Sequence, residues 1–201
     1  MKKLFLAVVA LMATMSVTAQ NMFIKPMVGG TLTTFTGDVE NTKMRVGIAA
    51  GAEFGYQVSD PFAVTAGLLV SMQGTNFKDD KYTKDKSISL TFLNVPIMAN
   101  YYIIPGLAIK AGIQPGFLLS LKDKYSEDVN GKWIDYDSTN KDGTKKFDLS
   151  IPLGLSYEFS DFVIDARYNL GLTNLNDGPN ASNYKVKNSV IMLTLGYKIP
   201  F

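Results

Sequence analysis

The stretch that decides the fold is the carboxyl end, Ser189-Val-Ile-Met-Leu-Thr-Leu-Gly-Tyr-Lys-Ile-Pro-Phe201. Counted back from the last residue, every second side chain is large and apolar: Phe201, Ile199, Tyr197, Leu195, Leu193 and Ile191. Between them Lys198, Gly196, Thr194 and Met192 form a smaller, more polar set. Successive side chains of a strand point to opposite faces, so this segment is a strand with one greasy side and one mixed side.

The same alternation recurs upstream. It predicts strands over Met22–Phe35, Val46–Val58, Phe62–Gly74, Ile88–Ile103, Leu107–Leu121, Phe147–Phe159, Phe162–Thr173 and Ser189–Phe201. Each exceeds the roughly 9 to 11 residues that a tilted barrel strand needs to cross a membrane, and their number is even, as a closed antiparallel barrel requires. Tight turns at Ser59-Asp60-Pro61, Ile104-Pro105-Gly106 and Ser160-Asp161 alternate with longer polar links. Outer-membrane barrels have short periplasmic turns and longer outer loops, and the alternation here is in register with a periplasmic amino end. In the sixth predicted strand, Phe147, Leu149, Ile151, Leu153, Leu155, Tyr157 and Phe159 share one face, with aromatics at both ends like two interfacial girdles. The expected fold is therefore an all-β, eight-stranded, antiparallel up-and-down transmembrane β-barrel. The competing soluble or lipocalin-like barrel would not account for the girdles or for glycines gathered on the polar face.

The amino end points to export. Lys2 and Lys3 precede the apolar run Leu4 to Met15, and Val17-Thr18-Ala19 offers small residues to a signal peptidase. Residues 1–19 are expected to be a cleaved signal peptide and residues 20–201 an outer-membrane β-barrel domain. The run is shorter than the roughly 20 residues of a spanning helix. Cleavage leaves 182 of the 201 residues and removes two of the 20 lysines and arginines, so 18 basic residues face 18 acidic ones. That balance gives no basic excess to attract nucleic acid.

If the polar faces turn inward, the lumen holds four bases, Lys25, Lys110, Arg167 and Lys198, and four acids, Glu53, Asp148, Glu158 and Asp165. Asn94, Asn100, Gln57, Gln73, Gln114 and Asn169 join them. A lumen of eight strands is just wide enough for side chains to fill, so these groups are expected to pair and hydrogen-bond into a polar plug rather than line an open pore. The chain has no histidine and no cysteine. Ser/His and Cys/His nucleophile pairs, imidazole and thiolate metal sites and disulfides are all excluded, and no cofactor is expected. Asp135, Asp137 and Asp142-Gly143 do not have the spacing of a calcium loop.

Function is expected on the outer loops. The longest, Lys122 to Lys146, reads KDKYSEDVNGKWIDYDSTNKDGTKK and is read as solvated and mobile. Its Tyr125, Trp133 and Tyr136 are the candidate contacts for a protein or glycan partner. The Lys78 to Lys86 loop, KDDKYTKDK, reads as a hydrated rim near lipopolysaccharide.

Three places carry a family resemblance: Leu93-Asn-Val-Pro-Ile-Met-Ala-Asn-Tyr-Tyr102, Ala166-Arg-Tyr-Asn-Leu-Gly-Leu-Thr-Asn174, and the terminal aromatic. They resemble, respectively, a Leu-Glu-Ile-Pro strand leading to Tyr-Tyr, an Arg-Tyr-x-x-Gly-Leu-x-Asn strand, and the end signature of outer-membrane barrels. The family is the outer-membrane β-barrel domain of porin-family, PorT-like proteins, related in architecture to the small OmpA and OmpX barrels. Asn94 stands where that family more often has glutamate and Asn100 where it often has a basic residue, so neutral amides replace one inward acid–base pair. The resemblance implies residence in the outer membrane of a Gram-negative bacterium, in contact with lipid and lipopolysaccharide. It also implies insertion by the barrel-assembly machinery, with Leu193, Leu195, Tyr197, Ile199 and Phe201 as the assembly signal. The expected function is non-enzymatic, through the outer loops, in adhesion, envelope integrity or partner contact. The rival readings are a small channel and an accessory component of a secretion or assembly machine.

Overall fold

The computed structural model describes residues 21–79, 83–129, 131–139, 143–178, 181 and 183–201. The expected signal peptide, residues 1–19, lies outside the described residues. Among the described residues twelve strands follow one another: β1 Met22–Gly37, β2 Thr42–Lys43, β3 Arg45–Ser59, β4 Phe62–Phe77, β5 Thr83–Asn94, β6 Ile97–Ile104, β7 Leu107–Val129, β8 Lys132–Ser138, β9 Phe147–Phe159, β10 Phe162–Gly171, β11 Val186–Tyr197 and β12 Ile199–Pro200. All pairings are antiparallel. β1 pairs with β3, β3 with β4, β4 with both β5 and β6, these with β7, β7 with β9, β9 with β10, and β10 with β11. β11 and β12 return to β1, from Gly37↔Val186 through Met27↔Gly196 to Phe23↔Pro200, and close an eight-staved ring. Closure leaves no sheet edge in the hydrocarbon, where an unpaired backbone group has no water to bond.

Two staves are broken, which corrects the predicted strands Ile88–Ile103 and Ser189–Phe201. The first divides at Val95-Pro96, where Pro96 has no N–H to give to the ladder, although Pro26, Pro115 and Pro152, equally without a donor, lie inside the unbroken strands β1, β7 and β9. Its register survives, with Leu69↔Asn94 on one side and Ala66↔Ile97 on the other, and the break is spanned by Gly67 N–H donating to Pro96 O at 2.9 Å. The last stave divides at Lys198, whose N–H donates to Asp161 O in the neighbouring turn. The segment Lys122 to Lys146 is also corrected. Instead of a mobile loop it contains the end of β7 and all of β8, paired from Asp123↔Ser138 to Val129↔Lys132. A ladder needs only backbone groups, so a hairpin rich in charged residues outside the membrane still forms a strand pair. Here the Lys124–Asp137 ion pair at 2.8 Å and the Tyr125–Tyr136 ring stack at 4.9 Å reinforce it. Thr83–Lys86 of the expected Lys78 to Lys86 rim likewise belong to β5, where Thr83 and Lys84 pair with Glu127 and Ser126 of β7 and Asp85 and Lys86 fall in a register shift.

The outside of the ring is an apolar band. In β10, Phe162, Ile164, Tyr168 and Leu170 are exposed, while Val163, Asp165, Arg167, Asn169 and Gly171 are buried in strict alternation. At about 3.3 Å per residue and a tilt near 40°, the thirteen residues of β9 reach about 30 Å, enough for the roughly 25 Å band of such barrels. Aromatic rings collect at the short-turn end: Phe159 stacks on Phe162, Phe162 meets Tyr197 edge-on, and Phe54 packs against Phe201. At the long-loop end Phe117 meets Phe147. Such a continuous exposed apolar surface is stable only against lipid.

The interior is layered. Most of the buried charges lie in the half nearer the short turns; amides, hydroxyls and Asp148 lie above them; a small apolar cluster of Met27, Ala49, Leu69 and Met192 also faces inward; and an apolar cluster of Phe35, Leu90, Phe92, Leu118, Leu121 and Leu175 caps the lumen at the long-loop end.

Candidate functional site

Five of the inward charges form one cluster. Glu53 on β3 and Asp165 on β10 face each other across the lumen, and Arg167 links them: its Nη2 donates to Glu53 Oε1 at 2.8 Å and its Nε to Asp165 Oδ1 at 2.8 Å. Lys25 on β1 lies 2.9 Å from Glu53 Oε2 and 3.8 Å from Asp165 Oδ2, and Lys110 on β7 pairs with Asp165 and sits 3.7 Å from Glu53. Each of the five is buried. Three cations against two anions give the cluster one net positive charge. Ions held this far from water persist only with several partners each, as the crossed geometry provides.

Four staves supply these side chains, and glycines make the space for them. Gly67 lies opposite Glu53, and Gly154 opposite both Lys110 and Arg167. A Cβ on Gly67 would come within 2.7 Å of Glu53 Cγ, and one on Gly154 within 2.5 Å of Ala166 O and 2.9 Å of Arg167 Cβ. Small residues opposite long ones are how a narrow barrel packs its interior.

The remaining inward charges stand apart. Lys198 and Glu158 pair at 2.8 Å at the short-turn mouth, where Tyr102 also donates to Glu158 at 2.5 Å and the Lys198 ammonium lies over the Phe23 ring. Asp148 has no basic partner among the described residues and accepts instead from Asn188 at 3.0 Å. The two amides singled out by the resemblance do not form a pair either. They sit six positions apart on one stave, Asn94 bonded to Ser71 and Asn100 to Ala63 O and Thr65. Above the charges, the space bounded by Gln73, Gln114, Asp148, Ser150, Asn169 and Asn188 is too small to admit a water molecule. Asn169 has no hydrogen-bond partner for either amide atom among the described residues.

The loop candidates divide as well. Tyr125 and Tyr136 stack on one face of the β7–β8 hairpin, and strand alternation puts Trp133 on the other, where the Lys84 ammonium lies 4.2 Å above its ring. The three therefore do not make one contact patch. At the carboxyl end, Leu193, Leu195, Tyr197, Ile199 and Phe201 all point outward to the lipid face. Sequence reasoning missed the apolar cap. The parity that turns Asn94 and Gln114 inward also turns Leu90, Phe92 and Leu118 inward, so the signal lay in the same strands.

The sequence matches the model of a family described as outer membrane protein beta-barrel domain over residues 18–177. No curated protein matches it. Among solved structures, the fold is similar to that of Ail, the attachment invasion locus protein of Yersinia pestis. In its complex with the heparin analogue sucrose octasulfate the TM-score is 0.51 at 17% identity, covering 89% of this chain and 99% of that one. A second Ail structure gives 0.50 at 18% identity, covering 90% and 99%. Neisserial surface protein A is a further match, at 0.46 and 12% identity, covering 90% and 97%.

Proposed function

This chain belongs to the outer membrane protein β-barrel domain family, and on that premise we propose that it is a closed, non-conducting and non-enzymatic barrel that acts through its long-loop end. The observation that carries the reading is the crossed cluster of Lys25, Glu53, Lys110, Asp165 and Arg167, which joins four staves across the lumen. An ion entering from the short-turn end meets that cluster, then a layer without room for water, then the apolar cap. Glu53 and Asp165 are each held by three cations, which fixes them in place and favours a lumen that is scaffold rather than catalyst.

The long loops face outward and the short turns face the periplasm. In that orientation the β7–β8 hairpin offers two separate surfaces, the tyrosine stack and Trp133, to a protein or glycan partner, in adhesion, envelope integrity or partner contact. The outward row Leu193 to Phe201 serves insertion by the barrel-assembly machinery.

Single-channel recording of the purified, refolded protein in a planar bilayer, beside an Arg167→Ala variant, tests the reading. A verifiably inserted wild-type barrel stays silent. Steady opening of the wild type, altered in the variant, would make it a small channel with Arg167 at the constriction.

A further inference from the structure

The apolar cap is the floor of a cup. At the long-loop end lies a cavity of about 510 Å³, walled by side chains from opposite sides of the ring, among them Phe35, Phe77, Ile88, Leu121, Leu175 and Tyr184. This is the size of a small-molecule site, whose mark is apolar walls with a few convergent polar groups. The cup is built rather than accidental. Leu175, in the segment that follows β10, is 2% exposed because its N–H donates to Val186 O and its carbonyl accepts from Lys145 N–H, which draws the segment across the mouth. Asn174 fixes that segment, accepting from Val186 N–H at 2.8 Å and donating to Ala181 O at 2.7 Å.

Two charged side chains line the cup. The Lys86 ammonium is placed 5.1 Å from the Phe77 ring. Asp123 Oδ1 is buried and has no hydrogen-bond partner among the described residues. A buried carboxylate oxygen without a donor is costly, and a ligand that brings a donor removes the cost. The two charges cancel, so the lining has no net charge to favour an ionic occupant and its apolar walls favour a neutral one.

We propose that the cup binds a small, neutral, mostly apolar molecule whose hydroxyl or amide N–H donates to Asp123. The site lies above the plug, so it rests on the preceding reading only for its closed floor.

The test uses the refolded full-length protein in phospholipid nanodiscs, with methyl-labelled Ile and Leu observed by NMR during titration with 1-octanol, and with octyl methyl ether as a probe of similar shape that lacks the donor. Octanol shifts the methyls of Ile88, Leu90, Leu121 and Leu175 saturably, while lipid-facing methyls such as those of Leu193 and Leu195 drift without saturating. Asp123→Leu weakens octanol about fivefold, the worth of one hydrogen bond, and leaves the ether unchanged. Leu175→Trp fills the cup and abolishes both. Unsaturable shifts, shifts confined to lipid-facing methyls, or equal octanol binding by the wild type and Asp123→Leu would overturn the proposal. Spectra of each variant without probe show whether it is folded. If Asp123→Leu is not, the octanol–ether difference in the wild type decides, and equal affinity for the two overturns the proposal. Conductance stays a separate readout: a silent barrel that ignores octanol refutes the cup alone, and a conducting barrel that binds it refutes the plug alone.

Discussion

The two halves of the lumen fill the same narrow tube with opposite chemistry. Nearer the short turns, five ions cross-brace four staves through fixed distances and directions. Nearer the long loops, Phe35, Leu90, Phe92, Leu118, Leu121 and Leu175 simply pack. The first half is specified pairwise, so each member depends on the identity of its partners. The second is specified by volume, tolerates exchange among apolar residues of similar size, and leaves room for a guest.

The largest effect is expected where that dependence is strongest. Glu53→Gln leaves Lys25, Lys110 and Arg167 facing Asp165 alone, and stability to urea in lipid vesicles should fall by about 3–5 kcal/mol. Lys25→Met removes the surplus cation and leaves two against two, so it should cost clearly less. Equal losses would show that the charges act as bulk rather than as a network. In the apolar half, Phe92→Ala should cost a similar 3–5 kcal/mol through the cavity it opens, yet the barrel should remain silent in a bilayer because the charged layer beneath is intact. A leak in that variant would mean that the cap, and not the ion cluster, is the seal.

Smaller effects probe the seam between the halves and the glycine wall. Gly154→Ala presses a methyl group against Ala166 O and Arg167, and should destabilise by about 1–3 kcal/mol in the same urea titration. Asn169→Leu should have the opposite sign and gain about 1 kcal/mol, since a buried amide without partners is replaced by an apolar side chain of similar volume. A loss instead would mean that Asn169 is bonded in the membrane and that the charged half extends further up the lumen.

Much of this was readable beforehand. The strict alternation of β10 and the uniform outward face of β9 require only the two-residue period of a strand, and the turns at Pro105-Gly106 and Ser160-Asp161 carry their own backbone preferences. The β7–β8 hairpin is not legible from side-chain polarity, because ladder bonds are indifferent to side chains. The break at Pro96 is not legible from the proline alone, since Pro26, Pro115 and Pro152 each delete a donor too and leave β1, β7 and β9 continuous.

Sequence by itself determined which residues face lipid and which face inward, because parity is local and one greasy face has a single place to go. It also excluded histidine and thiol chemistry outright. Only the tertiary structure decided who meets whom. Lys25, Glu53, Lys110, Asp165 and Arg167 are up to 142 positions apart in the chain, and their convergence depends on the stagger between staves, which sums over the whole closed ring. The same stagger brings Asp123 and Leu175 to one rim. No single strand contains that information, and the plug and the cup both exist because the ring closes in one register.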